Sequence, residues 1–318
     1  MFATNFQVGL FLAIREIKRS SIWTTVLIVV VMMLTFLNLI VVRDLLVGLI
    51  AGSISANKDY YSSDVLVTPS NDKTFIQNSQ DIVTAIQDFP GTKNYSVRYL
   101  ESARLESGYK DNRRPDQKDQ NIGTLLAGIN ISAESQVTSL QDKLIDGEFL
   151  NSDDLDAAVL GANLLAEYSS VADTPVITAL PEVKVGDKVL LTVNGNVREV
   201  RIKGVLKAKS QAVDQRIFMN DILVRQLIGR TDLFADEIAV KLQPRFTDSQ
   251  LQQYLVAAGF DQQAVIRTFL EAVPQFVKDI QVTFNILGNA IGSIGLVVSS
   301  TVDSKSKCTT HKKRRSLR

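Results

Sequence analysis

The stretch at residues 185–206, VGDKVLLTVNGNVREVRIKGVL, contains two runs rich in Val, Leu and Ile on either side of Asn194-Gly195. Asn and Gly both tolerate positive φ, and this dipeptide between extended runs is a strong signal for a β-hairpin. We therefore expect antiparallel strands at 188–193 and 197–206. The hairpin favours an interpretation of the surrounding chain as short strands rather than long helices.

The rest of residues 43–279 alternates apolar runs with short amphipathic segments. Strands are expected at 64–68, ended by Pro69, and at 96–106, 123–131, 217–219 and 237–242. Helices are expected at 79–88, 221–228 and 248–258, with Ser79, Asp221 and Asp248 as their N-caps. The charged segment 109–121 should form a hairpin tip. This order predicts an α+β domain with mostly antiparallel strands.

Residues 22–42 form a run of 21 residues without a charged side chain, and fourteen of them are Leu, Ile, Val or Phe. As a helix the run would rise about 31 Å, enough to cross the hydrocarbon core of a membrane. A cleaved signal peptide usually has a shorter apolar region that ends at an A-x-A-like site. We therefore expect a retained transmembrane helix, with a buried helix of a soluble protein as the alternative.

A second charge-free run covers residues 280–302, but it is more polar than the first. Gly288 and Gly292 form a small-xxx-small pattern that lets another helix approach closely. Asn285 and Asn289 are one helical turn apart and are placed to face the same partner. We expect a transmembrane helix that packs against others, and a buried soluble helix is again the alternative.

The charges are distributed unevenly although the net charge is only +1. Residues 303–318 carry +6, residues 1–21 carry +2 and the stretch between them carries −7. Arg15, Lys18 and Arg19 precede the first apolar run, and positive flanks stay on the cytoplasmic side. We expect an amphipathic juxtamembrane helix at 1–21, an extracytoplasmic domain at 43–279 and a basic cytoplasmic tail at 303–318, in a multi-pass protein of the cell membrane.

Catalytic and cofactor-binding motifs are missing from the sequence. One Cys and one His exclude a disulfide framework and a multi-thiolate or poly-His metal site within one chain. No P-loop, H-E-x-x-H or G-x-S-x-G motif occurs. The acidic cluster at 152–156 is either a turn or helix start, or a Ca²⁺ site without the EF-hand spacing. We expect no enzyme activity, no cofactor, no resident metal and no nucleic-acid partner.

Two stretches resemble the MacB/FtsX-type permease subunit of ABC transporters. The first is 144–165, LIDGEFLNSDDLDAAVLGANLL, and the second is 185–206. The matching positions of the first are Gly147, Phe149, Asp153, Val159, Leu160 and Gly161; those of the second are Gly186, Asp187, Lys188 and the run from Lys203 to Leu206. The resemblance covers roughly residues 6–300. The glycines Gly147, Gly161 and Gly186, with Asn194 and Gly195, are expected to mark tight turns rather than ligand sites.

The resemblance implies an extracytoplasmic MacB-like core between membrane helices, driven by a separate cytoplasmic ATPase. It also implies a homodimer or a paralogous permease partner, contact with membrane lipids, and a periplasmic adaptor as a further partner. Residues 6–19 would lie near the ATPase. Family permeases have four membrane helices and this sequence has two charge-free runs, so we expect a truncated or frameshifted copy. The alternative function is a membrane-anchored binding or adhesion module.

Overall fold

The computed structural model describes residues 8, 9, 11, 22–70, 72–110, 120–169, 179–275, 277–280, 282, 283 and 286. The chain divides into a central unit, Gly52–Val273, and a second unit made of the two flanking ends. Helix α1 covers Ile22–Asn57 and contains the first charge-free run. Over the described residues, no helix meets the combined requirements of length and hydropathy for crossing a membrane. The two predicted spans therefore stay predictions.

The described residues of the central unit contain ten strands and five further α-helices, and a π-helix, Lys58–Ser62, follows α1 directly. The strands are β1 Val65–Pro69, β2 Thr92–Glu106, β3 Asn121–Ile129, β4 Leu144–Gly147, β5 Ala157–Gly161, β6 Lys188–Val193, β7 Asn196–Leu206, β8 Arg216–Asn220, β9 Glu237–Leu242 and β10 Ala264–Thr268. The helices are α2 Ser79–Asp88, α3 Ile131–Val137, α4 Gln211–Asp214, α5 Asp221–Ile228 and α6 Asp248–Ala257.

All ten strands belong to one mixed sheet, in which nine follow the order β10-β1-β9-β2-β3-β8-β5-β7-β4 and β6 lies off this path. Strand β6 pairs with both β2 and β7, so the pairings β2-β3-β8-β5-β7-β6 return to β2 and form a closed circuit. The strands β10, β1 and β9 extend from the circuit along the first half of β2. Strand β2 is therefore shared by the circuit and by its extension.

Alternation of side chains along the strands divides the core into three apolar clusters. Every strand of the circuit contributes buried side chains to the largest cluster, which also includes Leu223, Val224 and Leu227 of α5. The opposite faces of β3, β5 and β8 form a second cluster with residues that include Val137 of α3. The third cluster joins β1, β9 and β10 to α2 and α6. The helices therefore cover different parts of one sheet.

The α+β expectation is confirmed, and eight of the ten strand pairings are antiparallel. The pairs β3-β8 and β5-β7 are parallel. The Asn194-Gly195 hairpin joins β6 and β7, with φ of 49° and 81° at its two central residues. Strands β4, β5 and β10 were not predicted as strands, because four or five residues are too few to show a clear alternation of apolar and polar side chains. Pro69 is the last residue of β1 rather than lying beyond it. It lies past the end of the pairing with β9, which stops at Val67, so no N–H donor is needed on that side.

The three N-cap predictions are wrong by one residue. The cap positions are Asn78, Asn220 and Thr247, and Ser79, Asp221 and Asp248 are each the first helical residue. Asn220 accepts a hydrogen bond from the Ile222 N–H, and Thr247 forms a capping box with Gln250. Asn220 and Thr247 have extended backbone conformations, so their side chains reach the free N–H groups of the first helical turn. The adjacent aspartates instead favour the helix through charge near its positive end.

Candidate functional site

The segment at residues 57–64, here named the junction segment, follows helix α1 and contains the π-helix. π-Helices are rare and occur frequently at functional positions. Asn57 is buried; its amide donates to the Ala272 carbonyl at 3.5 Å and its Oδ1 accepts from Ser210 Oγ at 3.2 Å. At the other end, the Asp64 N–H donates to the Val240 carbonyl at 3.1 Å and the Asp64 carboxylate accepts from the Leu242 N–H at 2.9 Å, both on β9. The segment is thus held at both ends.

Further contacts join the middle of the junction segment to α3 and to the turn after it. Ser63 has a positive φ of 56°, and its hydroxyl donates to the Val137 carbonyl at 3.1 Å. The Asp59 carbonyl accepts from the Ser139 N–H at 3.0 Å. A positive φ at a residue other than glycine is strained and persists only where the surroundings fix it. These contacts supply that constraint.

A buried ionic cluster lies beneath the junction segment. Its members are Tyr61, Arg98, Glu134, Arg216 and Glu237. The side chains of Arg98 and Glu134 are only 3% and 1% exposed. Two positive and two negative charges make the cluster neutral, which is the condition under which buried charges are tolerated.

Arg98 and Glu134 form a bidentate pair between β2 and α3. Arg98 Nη2 and Nε donate to the two carboxylate oxygens at 2.6 and 3.0 Å. The hydroxyls of Ser96 and Thr138 donate to the same carboxylate at 2.7 and 2.8 Å. Arg98 Nη2 also donates to the Tyr61 carbonyl at 2.7 Å. The guanidinium therefore connects the junction segment, the sheet and α3.

Glu237 of β9 and Arg216 of β8 complete the cluster. The Tyr61 hydroxyl donates to Glu237, and Arg216 Nη2 donates to the Tyr61 hydroxyl at 3.1 Å. Arg98 Nη1 lies 3.3 Å from Glu237, its register partner across β2 and β9. Both guanidinium groups lie over the Tyr61 ring, with centroid distances of 5.1 and 4.7 Å. The ring is thereby bound through its hydroxyl and its π-system.

The cluster keeps its carboxylates ionised. Burial alone would raise the pKa of Glu134, but Arg98, Ser96 and Thr138 lower it below the ordinary value of a glutamate. The pKa of Glu237 is likewise lowered, against burial, by Arg216 and Arg98. Burial raises the pKa of the Tyr61 hydroxyl well above its ordinary value, so it remains a donor.

The arrangement suits a mechanical role better than a chemical one. The Glu134 carboxylate accepts from Arg98 and from two hydroxyls, so its oxygens are occupied. The Tyr61 hydroxyl is held protonated rather than activated as a nucleophile. In the part of the chain that the structure describes, no group of three or more His, Cys, Asp or Glu is placed to hold a metal ion. The cluster fixes the junction segment to the sheet.

The residues predicted for turns occupy several backbone conformations. Gly147 and Gly186 have φ of 76° and 97°, whereas Gly161 has an extended backbone with φ of −68°. At Gly147 an added Cβ would lie 2.2 Å from the Lys203 carbonyl oxygen, and at Gly161 it would lie 2.4 Å from the Val213 oxygen. Gly161 is therefore needed for close packing rather than for its φ.

The two stretches that carry the family resemblance meet on β7. Strand β4 of the first stretch pairs antiparallel with β7, and β5 of the same stretch pairs parallel with it. Gly147 lies opposite Gly204 in this register. Asp154, from the acidic cluster, accepts from Lys203 Nζ at 2.6 Å and from the Asn151 N–H at 2.7 Å. This carboxylate serves the strand packing.

The remaining predicted site residues lie outside the described residues. They are Arg15, Lys18 and Arg19 of the juxtamembrane segment, and Asn285, Gly288, Asn289 and Gly292 of the second apolar run. The buried ionic cluster was not predicted. The available signal was Arg98 between the apolar residues Val97 and Tyr99, and Glu237 at the start of an apolar strand, since charged residues are almost never buried unless they are paired.

No protein-family model and no curated protein matches the chain. Solved structures similar to it include the extracellular domain of the noncanonic ABC-type transporter YknZ from Gram-positive bacteria, at 14% identity and a TM-score of 0.38, covering 64% of this chain and 98% of that one. The periplasmic region of MacB from Actinobacillus actinomycetemcomitans is 13% identical, with a TM-score of 0.43, over 72% of this chain and 95% of that one. A domain of a protein described as a permease from Porphyromonas gingivalis is 15% identical, with a TM-score of 0.36, covering 63% of this chain and 83% of that one.

Proposed function

We propose that the chain is a non-enzymatic permease subunit of a MacB-like ABC transporter. In this proposal the central unit lies outside the cytoplasm and a separate cytoplasmic ATPase drives its conformational change. The proposal includes a second permease copy or paralogue and an extracytoplasmic adaptor as partners.

The observation that carries the proposal is the attachment of the junction segment to the sheet. The segment directly follows the helix that contains the charge-free run 22–42. The buried ionic cluster then connects it to β2, β8, β9 and α3. Packed elements with satisfied polar networks move as a unit, because leaving a buried charge unpaired is costly. A displacement of the segment would therefore be transmitted to the sheet.

The sequence supports the membrane placement in this proposal. The charge-free run, with the positive Arg15, Lys18 and Arg19 before it, is typical of a span whose N-terminus is cytoplasmic. Side chains of the run such as Trp23 and Met33 are 85% and 68% exposed in the described structure. Large apolar side chains in such a position are suited to contact with lipid. The resemblance of 144–165 and 185–206 to the family supports the assignment of the central unit.

The first experiment tests the partner. The full chain, expressed with the ATPase encoded beside it, should co-purify with that ATPase in mild detergent and alter its rate of ATP hydrolysis. The combined changes Arg15→Glu and Lys18→Glu should reduce this effect, whereas Arg245→Glu on the exposed surface of the central unit should not. Failure of any ATPase to associate, with the permease itself folded and inserted, would contradict the proposal.

The second experiment tests the topology and uses Cys308, the only cysteine of the sequence. A membrane-impermeant maleimide applied to intact cells should leave Cys308 unlabelled. In a Cys308→Ser background, Arg245→Cys in the central unit should be labelled under the same conditions. Labelling in the opposite pattern would place the central unit in the cytoplasm and remove the assignment.

A further inference from the structure

Strand β2 has one unpaired side along its first half. From Asn94 to Arg98 it pairs with β9, and its pairing with β3 begins only at Arg98, opposite Ile129. Beyond Ile129 the chain leaves the sheet and enters α3. Among the described residues, no strand pairs with β2 at 92–97 on the β3 side. We name this part of β2 the open edge.

The hydrogen-bond pattern shows which backbone groups face the open edge. The Arg98 carbonyl accepts from the Asp236 N–H, and the Leu100 N–H donates to the Asp236 carboxylate, so alternate residues of β2 point toward β9. Because N–H and C=O alternate in direction along an antiparallel strand, Tyr95 and Val97 point theirs to the other side. The Tyr95 N–H and C=O and the Val97 N–H lie beyond the last pairing of β2 with β3 and face the open edge.

A cleft of about 590 Å³ lies along the open edge. One wall is β2 itself, from Thr92 to Val97, and the opposite wall is formed by the cap and first turns of α3. The lining is rich in amides and hydroxyls and has one positive and one negative side chain: Gln87, Asn94, Asn130, Ser132, Gln136, Lys93 and Asp221. The volume lies within the range of about 300–1,000 Å³ that is common for ligand sites.

We propose that this cleft binds an extended peptide segment of a partner protein by β-strand addition. The peptide would pair its backbone with Tyr95 and Val97 and continue the sheet where β3 has departed. Main-chain hydrogen bonds would supply affinity, and alternate side chains would enter the cleft. The balanced charge and the amide-rich walls favour a peptide with uncharged polar side chains.

An extended polypeptide fits this site better than a carbohydrate does. Tyr95 and Val97 are two residues apart, so their outward groups repeat at about 6.6 Å along the edge. Another strand presents alternating C=O and N–H groups at the same repeat, whereas sugar hydroxyls have no fixed register with it. The six-residue edge spans about 20 Å, which matches a peptide of six to eight residues. This proposal does not depend on an ATPase partner.

The test uses the full chain in detergent and a pool of N-acetylated, C-amidated octapeptides made from Ser, Thr, Gln and Val. Members of the pool should bind with a Kd below about 1 mM. The tightest binder, N-methylated at alternate residues, should lose at least about tenfold in affinity, because the methyl groups remove its donors. On binding, the amide hydrogens of Tyr95 and Val97 should become protected from exchange, while that of Ser96, which faces β9, is protected in both states.

Two variants of α3 give a matched pair. Ala133→Arg fills the cleft from its far wall and should weaken peptide binding at least about tenfold. Ser135→Arg places the same side chain on an exposed position of the same helix outside the cleft and should leave affinity unchanged. The methylated peptide keeps the proposal testable even if Ala133→Arg lowers stability.

Three results would overturn the proposal. They are the absence of any binder at 1 mM in the pool, equal binding of the methylated and unmethylated peptides, and equal effects of Ala133→Arg and Ser135→Arg. Binding of an oligosaccharide such as chitohexaose, blocked by Ala133→Arg while no peptide binds, would assign the cleft to carbohydrate instead.

Discussion

Replacing Arg98 by Met removes the cation that three elements share. The side chain is 3% exposed and donates to Glu134, Glu237 and the Tyr61 carbonyl. Met has a similar length but no donor, so the cluster changes from neutral to a net charge of −1. Removing one partner of a buried ion pair costs about 3–5 kcal/mol, because the remaining charge stays buried without compensation. We expect Arg98→Met to lower the free energy of unfolding of the central unit by that amount.

A second change should restore part of the loss. In Arg98→Met with Glu134→Gln, the cluster is neutral again. The Gln oxygen can accept from one of the hydroxyls of Ser96 and Thr138, which contact different oxygens of Glu134, and the Gln NH2 can donate to the other. We expect the double variant to be more stable than Arg98→Met alone by about 1–3 kcal/mol. Arg198→Met is the control, because its pair with Asp156 is exposed and should cost less than about 1 kcal/mol.

Pulse proteolysis in urea on the detergent-solubilised full chain measures these differences. Intrinsic fluorescence is not suited to them, because the only tryptophan, Trp23, lies in α1 outside the central unit. If Arg98→Met and Arg198→Met lowered the free energy of unfolding equally, burial of the cluster would make no contribution to stability. A double variant no more stable than Arg98→Met would refute the charge-balance argument itself.

Three further changes have defined outcomes. In Gly147→Ala the new Cβ would sit at a positive φ and clash with the Lys203 carbonyl, so the free energy of unfolding in urea should fall by more than about 1 kcal/mol. Gly123→Ala is the control, because its Cβ would enter open space and the loss should be smaller. Thr247→Ala removes the N-cap of α6 and should cost about 1 kcal/mol, which thermal unfolding with Thr247→Ser as the control would measure. Burial raises the pKa of Asp236 to about 6, so the folded state holds this proton more tightly than the unfolded state does. Stability from this group should therefore fall as pH rises from about 4 to 6 and should not do so in Asp236→Asn; an unchanged pH profile in that variant would contradict the assignment.

Local sequence patterns predicted those elements of the central unit that have a clear turn dipeptide or a clear apolar periodicity. The β6-β7 hairpin follows from Asn194-Gly195, and α2 and α5 occupy the ranges that their apolar periodicity indicates. At α5 and α6 the N-caps were displaced by one residue because two adjacent polar residues compete, and the one with the extended backbone makes the hydrogen bond. At α2 the cap residue Asn78 has a left-handed backbone and makes no side-chain cap bond. Local signals therefore locate an element better than they locate its first residue.

The buried ionic cluster could not be predicted because its members are distant in sequence. Arg98 and Glu237 are register partners only after β2 and β9 pair, and Glu134 reaches them from α3. Each residue alone is consistent with a solvated strand or helix face. The open edge has the same origin, since it exists only because β3 ends at Ile129 while β2 continues. Such features follow from strand order, which periodicity does not encode.

The closed circuit of strands has a kinetic consequence. Two of its pairings join strands that are distant in the chain: Glu106 of β2 lies about 84 residues from Leu190 of β6, and Leu125 of β3 lies about 91 residues from Arg216 of β8. The entropy of closing so long a loop is lost before any contact of either pairing forms, and folds dominated by distant pairings assemble slowly. Until β6 pairs with β2, the apolar residues of β2 near Leu105 lack their contacts with Leu191 and its neighbours in the largest apolar cluster. A newly made chain would therefore pass through a slow stage, prone to aggregation, whose duration depends on these distant encounters.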